Sequence, residues 1–337
     1  MRLENTLALI NGELINSPFI NNFTNIIFDS KHVRRGDLFI AFDESMIEEA
    51  IFNGAYGVVF NKPTQITDSE IAWIKVENLD EALIRLLRFE LINKEIKVYS
   101  CDEIVLKLAL QVVTEPNFIA LHGNIKSIFK NISNIENGSI ILFSPTLTTS
   151  DIFTNIKELP KNSLHTITIM EQTLFETSFI YDNVFYERQL ISPFFMPYLE
   201  KLLYLFKTLK INFRLRKFTP IEHFEAVFTN KNFEIKEFGT SDKVLIFEKS
   251  SLLIENEIIF LQQQATWAKI IYIIPFKSKN ILSEELIKKD NIFFYKSENE
   301  IKNILKSNSF HFALVVGVDK SILNTPLVQQ TQLTLDF

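Results

Sequence analysis

Two short stretches carry side chains able to do chemistry. In one, Gly123, Asn124, Lys126 and Ser127 follow the apolar run Phe118 to Leu121 and open an amphipathic segment. A strand running into a loop that ends Lys-Ser at a helix start is the layout of a phosphate-binding loop. In such loops glycines let backbone N–H groups converge on phosphate oxygens, the lysine bridges the terminal phosphates, and the hydroxyl holds magnesium. The string equally suits an ordinary strand-to-helix loop with a coincidental lysine. In the other stretch the polar triplet Asp29-Ser30-Lys31 stands just ahead of Gly36-Asp37-Leu38-Phe39-Ile40-Ala41.

The elements around these stretches alternate between strand and helix patterns, which argues for α/β layers. Strands are expected at 37–42, 57–60 and 71–76. Asn78 opens a helix with Glu81 three residues on, a capping-box-like start, and Leu79, Ala82, Leu83, Leu86 and Leu87 supply its buried stripe. The polar junction Asn93-Lys94-Glu95 places a domain boundary near residue 96. A helix at 102–114, strands at 139–143 and 164–170, an edge pairing at 182–188 and a helix at 196–209 follow. After the turn Gly239-Thr240-Ser241, strands at 242–247, 269–274, 291–295 and 311–316 alternate with helices at 255–266, 283–289 and 298–306. That layout suits a small doubly wound domain. The domains expected are thus 1–96, 97–240 and 241–337.

Composition narrows the function. A chain of 337 residues can bury sizeable cores without metals or disulfides. Cys101 is the only cysteine, which excludes an intrachain disulfide and a thiolate zinc cluster and fits a reducing compartment. Apolar runs such as Ile270 to Phe276 fall far short of the roughly 20 residues that span a bilayer, and the N-terminus lacks a signal-peptide pattern. A cytoplasmic protein is expected. A net charge of −6 gives no broad attraction for nucleic acid, and the cluster Arg214-Arg216-Lys217 is too small to reverse that. His165, Glu171 and His223 stand in no recognisable ligand context. Gly317-Val318-Asp319-Lys320 falls where ligands bind in doubly wound sheets but also reads as a plain turn. The aromatic-rich run Phe175 to Tyr198 is core or an exposed binding face, and the tail 325–337 is a terminal strand or a docking peptide.

The two stretches resemble the Mur ligases, the enzymes that add amino acids or dipeptides to UDP-N-acetylmuramoyl precursors of peptidoglycan. Asp29-Ser30-Lys31, Gly36-Asp37-Leu38-Phe39-Ile40-Ala41 and Ala50-Ile51-Phe52-Asn53-Gly54-Ala55-Tyr56-Gly57-Val58-Val59 follow one another as in that family's first domain. The likeness is to the members adding the third residue or the D-alanyl-D-alanine dipeptide. It implies a three-domain Mur-ligase-like α/β architecture, with a shortened P-loop-type central domain and a small Rossmann-like C-terminal domain. Asp29, Ser30 and Lys31 would then bind a UDP-N-acetylmuramoyl-type ligand, and Gly123, Asn124, Lys126 and Ser127 would form a degenerate phosphate loop.

Departures from the family pattern bear on activity. The Asp-Gly-His segment expected between the second and third blocks is missing, and only Phe42 to Glu49 remain there. The phosphate loop is one residue short, with Ile125 where a glycine precedes the lysine. A branched residue held at positive φ would be strained by about 1–3 kcal/mol. No carboxylate, histidine and modified-lysine set aligns between Asn131 and Ser241, and Phe247-Glu248-Lys249-Ser250-Ser251 replaces the substrate-positioning element. The expectation is a non-catalytic protein of peptidoglycan precursor metabolism without catalytic residues, metal ligands or cofactor, holding a nucleotide-sugar or a cell-wall protein partner. ATP and Mg enter only if the loop functions. The alternative is an active ATP-dependent amide ligase on UDP-N-acetylmuramoyl peptides.

Overall fold

The computed structural model describes residues 1–133, 135–145, 150–161, 166–215, 217–237 and 240–324. His165, Arg216, Gly239 and the tail from residue 325 lie outside the described residues. The chain divides into two compact units, Met1–Leu106 with Val113–Leu159, and Lys107–Val112 with Pro160–Phe337.

The first unit opens with α1 (Leu3–Ile10), β1 (Glu13–Leu14), β2 (Ile26–Ile27), β3 (Leu38–Ile40), α2 (Ile47–Phe52), β4 (Gly57–Phe60), β5 (Ala72–Lys75) and α3 (Leu79–Leu91). The sheet runs β1-β5-β4-β3-β2, with β2 to β5 parallel and β1 antiparallel at the edge. Both faces are covered, so β3 and β4 are buried along their whole length and read as continuous apolar runs. Asn78 caps α3 by accepting from the N–H groups of Asp80 (2.8 Å) and Glu81 (3.3 Å). The Glu81 carboxylate approaches Arg85 (3.9 Å) one turn on, an ion pair along the helix.

A second sheet continues the same unit with β6 (Lys97–Ser100), the start of α4 (Glu103–Val112, which from Lys107 on belongs to the second unit), β7 (Phe118–Leu121), α5 (Ile125–Ser133), β8 (Ile140–Phe143) and β9 (Ile156–Glu158). Its order is β7-β8-β6-β9, all parallel. Leu83, Leu86 and Leu87 of α3 share one core with Ile128, Phe129 and Ile132 of α5. Cys101 follows β6: its N–H donates to Phe143 O (2.9 Å), its thiol lies 3.5 Å from the same oxygen, and burial pushes that thiol far up.

The second unit holds β10 (Ile167–Gln172), β11 (Thr177–Tyr181), β12 (Val184–Gln189), α6 (Met196–Leu209), β13 (Glu225–Thr229), β14 (Lys243–Glu248), α7 (Ile254–Gln264), β15 (Ile270–Pro275), α8 (Glu284–Ile287), β16 (Ile292–Tyr295), α9 (Glu298–Ser307) and β17 (Phe312–Val316). Strands β10 to β12 form an antiparallel meander. Asp182 (φ 49°) and Asn183 (φ 61°) make its two-residue hairpin, since short polar side chains tolerate the left-handed region such turns need. Within the aromatic run, Phe179, Phe194 and Phe195 are core, whereas Phe185 is 54% exposed. The final sheet runs β13-β14-β17-β15-β16, four parallel strands with β13 antiparallel at one edge. Among the described residues no helix is long and apolar enough to cross a membrane.

Candidate functional site

The loop after β7 is built on one glycine and one cap. Gly123 takes φ +96°, a conformation L side chains rarely adopt. Asn124 then caps α5: its Oδ1 accepts from the Ser127 N–H (3.0 Å) and from the Ser127 hydroxyl (3.1 Å). Ile125 is already the first residue of the helix, is not among the positive-φ residues, and packs against the core shared by α3 and α5. The strain expected of a branched residue in a left-handed position therefore does not arise. As the first residue of the helix, Ile125 takes ordinary right-handed geometry.

Lys126 turns back to the segment after β3. Its Nζ lies 4.0 Å from the centroid of the Phe42 ring. Asp43, whose carboxyl is held below the usual range by the Ser45 hydroxyl and N–H, also feels the Lys126 charge. Phe42 and Asp43 head the stretch left where the Asp-Gly-His segment is missing.

Asp29, Ser30 and Lys31 form a tight turn rather than three side chains aimed at one point. Asp29 caps that turn, accepting from the Lys31 N–H (3.1 Å) and standing 3.0 Å from His32 Nδ1. The Lys31 N–H, aided by His32, holds the Asp29 carboxyl below the usual range. Ser30 is buried; its hydroxyl donates to Glu49 Oε2, and its carbonyl accepts from Asn53 Nδ2 (2.9 Å). Lys31 is exposed. Asp29 and His32 border a cavity of about 590 Å³ that Phe28, Phe129 and Lys130 also line. Phe28 and Phe129 meet edge to face there, with centroids 5.2 Å apart.

The glycines of the resembling motifs have architectural reasons. Gly36 and Gly54 both take φ +100°, and a Cβ on Gly54 would lie 3.0 Å from Arg35 Cα. The Gly36 N–H donates to Gly54 O (3.1 Å), clasping the start of β3 to the end of α2. Buried Asp37 accepts from Arg34 N–H and Asn25 Nδ2, both at 2.9 Å.

In the second unit the carboxyl end of β14 carries a buried cluster that sequence reasoning missed. Glu248 accepts from His223 Nδ1 (2.8 Å), Phe224 N–H (3.1 Å) and Ser250 N–H (2.6 Å). Burial opposes its charge, yet the bond from His223, with the Ser250 N–H, brings its carboxyl below the usual range. Glu257 of α7 is fully buried, and burial reinforced by the Glu248 charge pushes its carboxyl well above that range. The available signal was Glu257 among Ile254, Ile258 and Leu261, an acid on an apolar helix face. Glu171 lies exposed on β10. Asp319 pairs with Lys249 (3.7 Å) and Lys320 with Glu225 (2.8 Å). Gly317 (φ +84°) packs where a Cβ would meet Pro275 Cγ at 2.8 Å. Among the described residues no group of three or more His, Cys, Asp or Glu side chains could hold a metal ion.

No protein-family profile matches the chain. It is 31% identical over 142 residues to the UDP-N-acetylmuramoyl-tripeptide--D-alanyl-D-alanine ligase of Rickettsia prowazekii (strain Madrid E), a match covering 39% of this chain. The match spans 31% of that relative's length, about a third. The crystal structure of MurF from Acinetobacter baumannii is similar over 97% of this chain and 98% of that one, with a TM-score of 0.50 at 9% identity. This chain has the Mur ligase fold. The Mur-ligase-like α/β architecture read from its motifs is therefore borne out. Within it, the Mur-like first sheet owes its signature residues to turns and close packing, as Gly36, Asp37 and Gly54 show.

Proposed function

We propose that this Mur-ligase-like chain serves peptidoglycan precursor metabolism without transferring phosphate, as a binding protein for a UDP-N-acetylmuramoyl-type ligand or a cell-wall partner. The observation that carries the reading is the self-satisfied loop: Asn124 occupies both the N–H and the hydroxyl of Ser127, while the Lys126 ammonium rests on Phe42. A phosphate cradle needs those donors free and convergent, because phosphoryl transfer depends on placement and electrostatics. On this reading the loop holds neither ATP nor magnesium.

Asp29 and His32, at the rim of the cavity lined by Phe28 and Phe129, are the proposed ligand contacts, and Ser30 and Lys31 form the turn that holds them. The reading keeps the divisions near residues 96 and 240, supported by the first sheet ending at Lys75 and the parallel strands of the last one starting at Lys243.

Calorimetry with ATP–magnesium and, separately, with a UDP-N-acetylmuramoyl peptide tests it. Binding of the UDP ligand alone supports the reading. Micromolar ATP binding that disappears in Lys126→Ala would sink it and favour the active amide ligase. If neither ligand binds, the partner form of the proposal stands or falls on pull-down from cells.

A further inference from the structure

The second unit contains a cleft of about 440 Å³ at the amino ends of β14 and β17. It lies at the strand ends opposite Glu248 and Gly317, and so is separate from the carboxyl-end cluster. Its volume falls within the range of small-molecule sites, about 300–1,000 Å³. Three aromatic rings form its floor. Phe175, from the β10–β11 turn, stands 5.7 Å from Phe228 and 6.4 Å from Phe312. Trp267 is the wall: the residue is 72% exposed, yet its ring is braced edge to face against Phe312 at 5.9 Å. An exposed indole fixed in this way is a stacking platform for a flat ring.

The polar groups of the cleft define the ring's edge. Gln172 Nε2 donates to Gln264 Oε1 at 3.0 Å. That bond engages Gln172 Nε2 and Gln264 Oε1, and so leaves Gln172 Oε1 as an acceptor and both Nε2 hydrogens of Gln264 as donors. The complement of such a pair is a lactam edge, an N–H next to a C=O. The other polar side chains lining the cleft, Thr173 and Ser241, are also uncharged. Thr173 is committed to its own turn, accepting from the Phe175 N–H (3.2 Å) and the Glu176 N–H (3.0 Å).

We infer that this cleft binds a lactam-bearing nucleobase, stacked on Trp267 and read at its edge by Gln172 and Gln264. Shape, an aromatic floor and a neutral donor–acceptor pair supply the recognition, and no ionic contact is needed.

The test is calorimetry of the whole chain with inosine and with 1-methylinosine, which keeps the ring but loses the lactam N–H. Inosine should bind saturably, and 1-methylinosine about tenfold or more weakly. Gln172→Leu should weaken inosine by a similar factor and abolish the preference between the two probes. Trp267→Ala should weaken both probes alike. Gln172, Gln264 and Trp267 are all exposed, and circular dichroism of each variant confirms that the fold is retained. Absence of saturable inosine binding at millimolar concentration, or equal binding of the methylated probe, would overturn the inference. The uracil of a UDP-muramoyl peptide carries a lactam edge too, so Gln172→Leu separates the two sites: ligand held by the first unit keeps its affinity in that variant.

Discussion

The Lys126 ammonium lies 4.0 Å from the centre of the Phe42 ring, joining the start of α5 to the segment after β3. Two departures from the Mur pattern, a lysine loop without its glycine and a shortened segment ahead of α2, thus meet in one contact. Such a contact at a half-exposed position is worth about 0.5–1 kcal/mol. Lys126→Ala and Phe42→Leu should each lower stability by about that amount beyond ordinary side-chain loss. The double variant should show a coupling of about 0.5 kcal/mol in urea unfolding. Strict additivity would mean that the lysine is free in solution.

Asn124 should behave as a helix cap and not as a phosphate ligand. Asn124→Ala is expected to cost about 1 kcal/mol, with Asn124→Asp close to neutral. Amide exchange in α5 reads this directly, as faster exchange confined to its first turns in the alanine variant. A loss of nucleotide binding without any change in exchange would contradict the assignment.

Glu257 gives a pH signature. Burial, then the Glu248 charge, place its folded-state carboxyl above its unfolded value of 4.5. Its contribution to stability is therefore fully present below that value and is lost as pH rises through the folded one. Glu257→Gln cannot ionise. It should melt higher than the parent near neutral pH and converge with it near pH 4. Glu248 has the opposite sign: its lowered carboxyl contributes above about 4.5 and loses that contribution as pH falls. Parallel melting curves of parent and Glu257→Gln from pH 4 to 8 would refute the assignment.

Gly54→Ala should be costly because it combines positive φ with a Cβ 3.0 Å from the Arg35 backbone. About 1–3 kcal/mol is expected. Gly138 has φ +85° but no atom within 4 Å of its Cβ position, so Gly138→Ala isolates the conformational part and should cost less. Urea midpoints compare the two, and equal losses would show that packing against Arg35 contributes nothing.

Most regular elements were legible in the sequence where burial imposes a period. α6 runs Met196–Leu209 as its apolar stripe required, and β14 to β17 lie within a residue or two of their apolar runs. β11 and β13 were missed for different reasons. Thr177–Tyr181 lies inside the aromatic-rich run 175–198, whose many apolar residues obscure a single strand period, and Glu225–Thr229 is an edge strand whose burial alternates only weakly. Ile125 shows the limit for the site. Its identity signalled a departure from glycine, but only the fold reveals that the chain avoids the strain by placing Ile125 in the helix itself. The Lys126–Phe42 contact joins residues 84 positions apart, which no local pattern encodes.

Cys101 equips the chain with a built-in clock. As the sole thiol, half-buried beside the Phe143 carbonyl and disfavoured from ionising, it should react slowly with alkylating reagents while β6 stays paired with β8. Labelling by a maleimide would then quicken whenever that pairing opens. The first unit's breathing can be timed in the native polypeptide, with no introduced label and no denaturant.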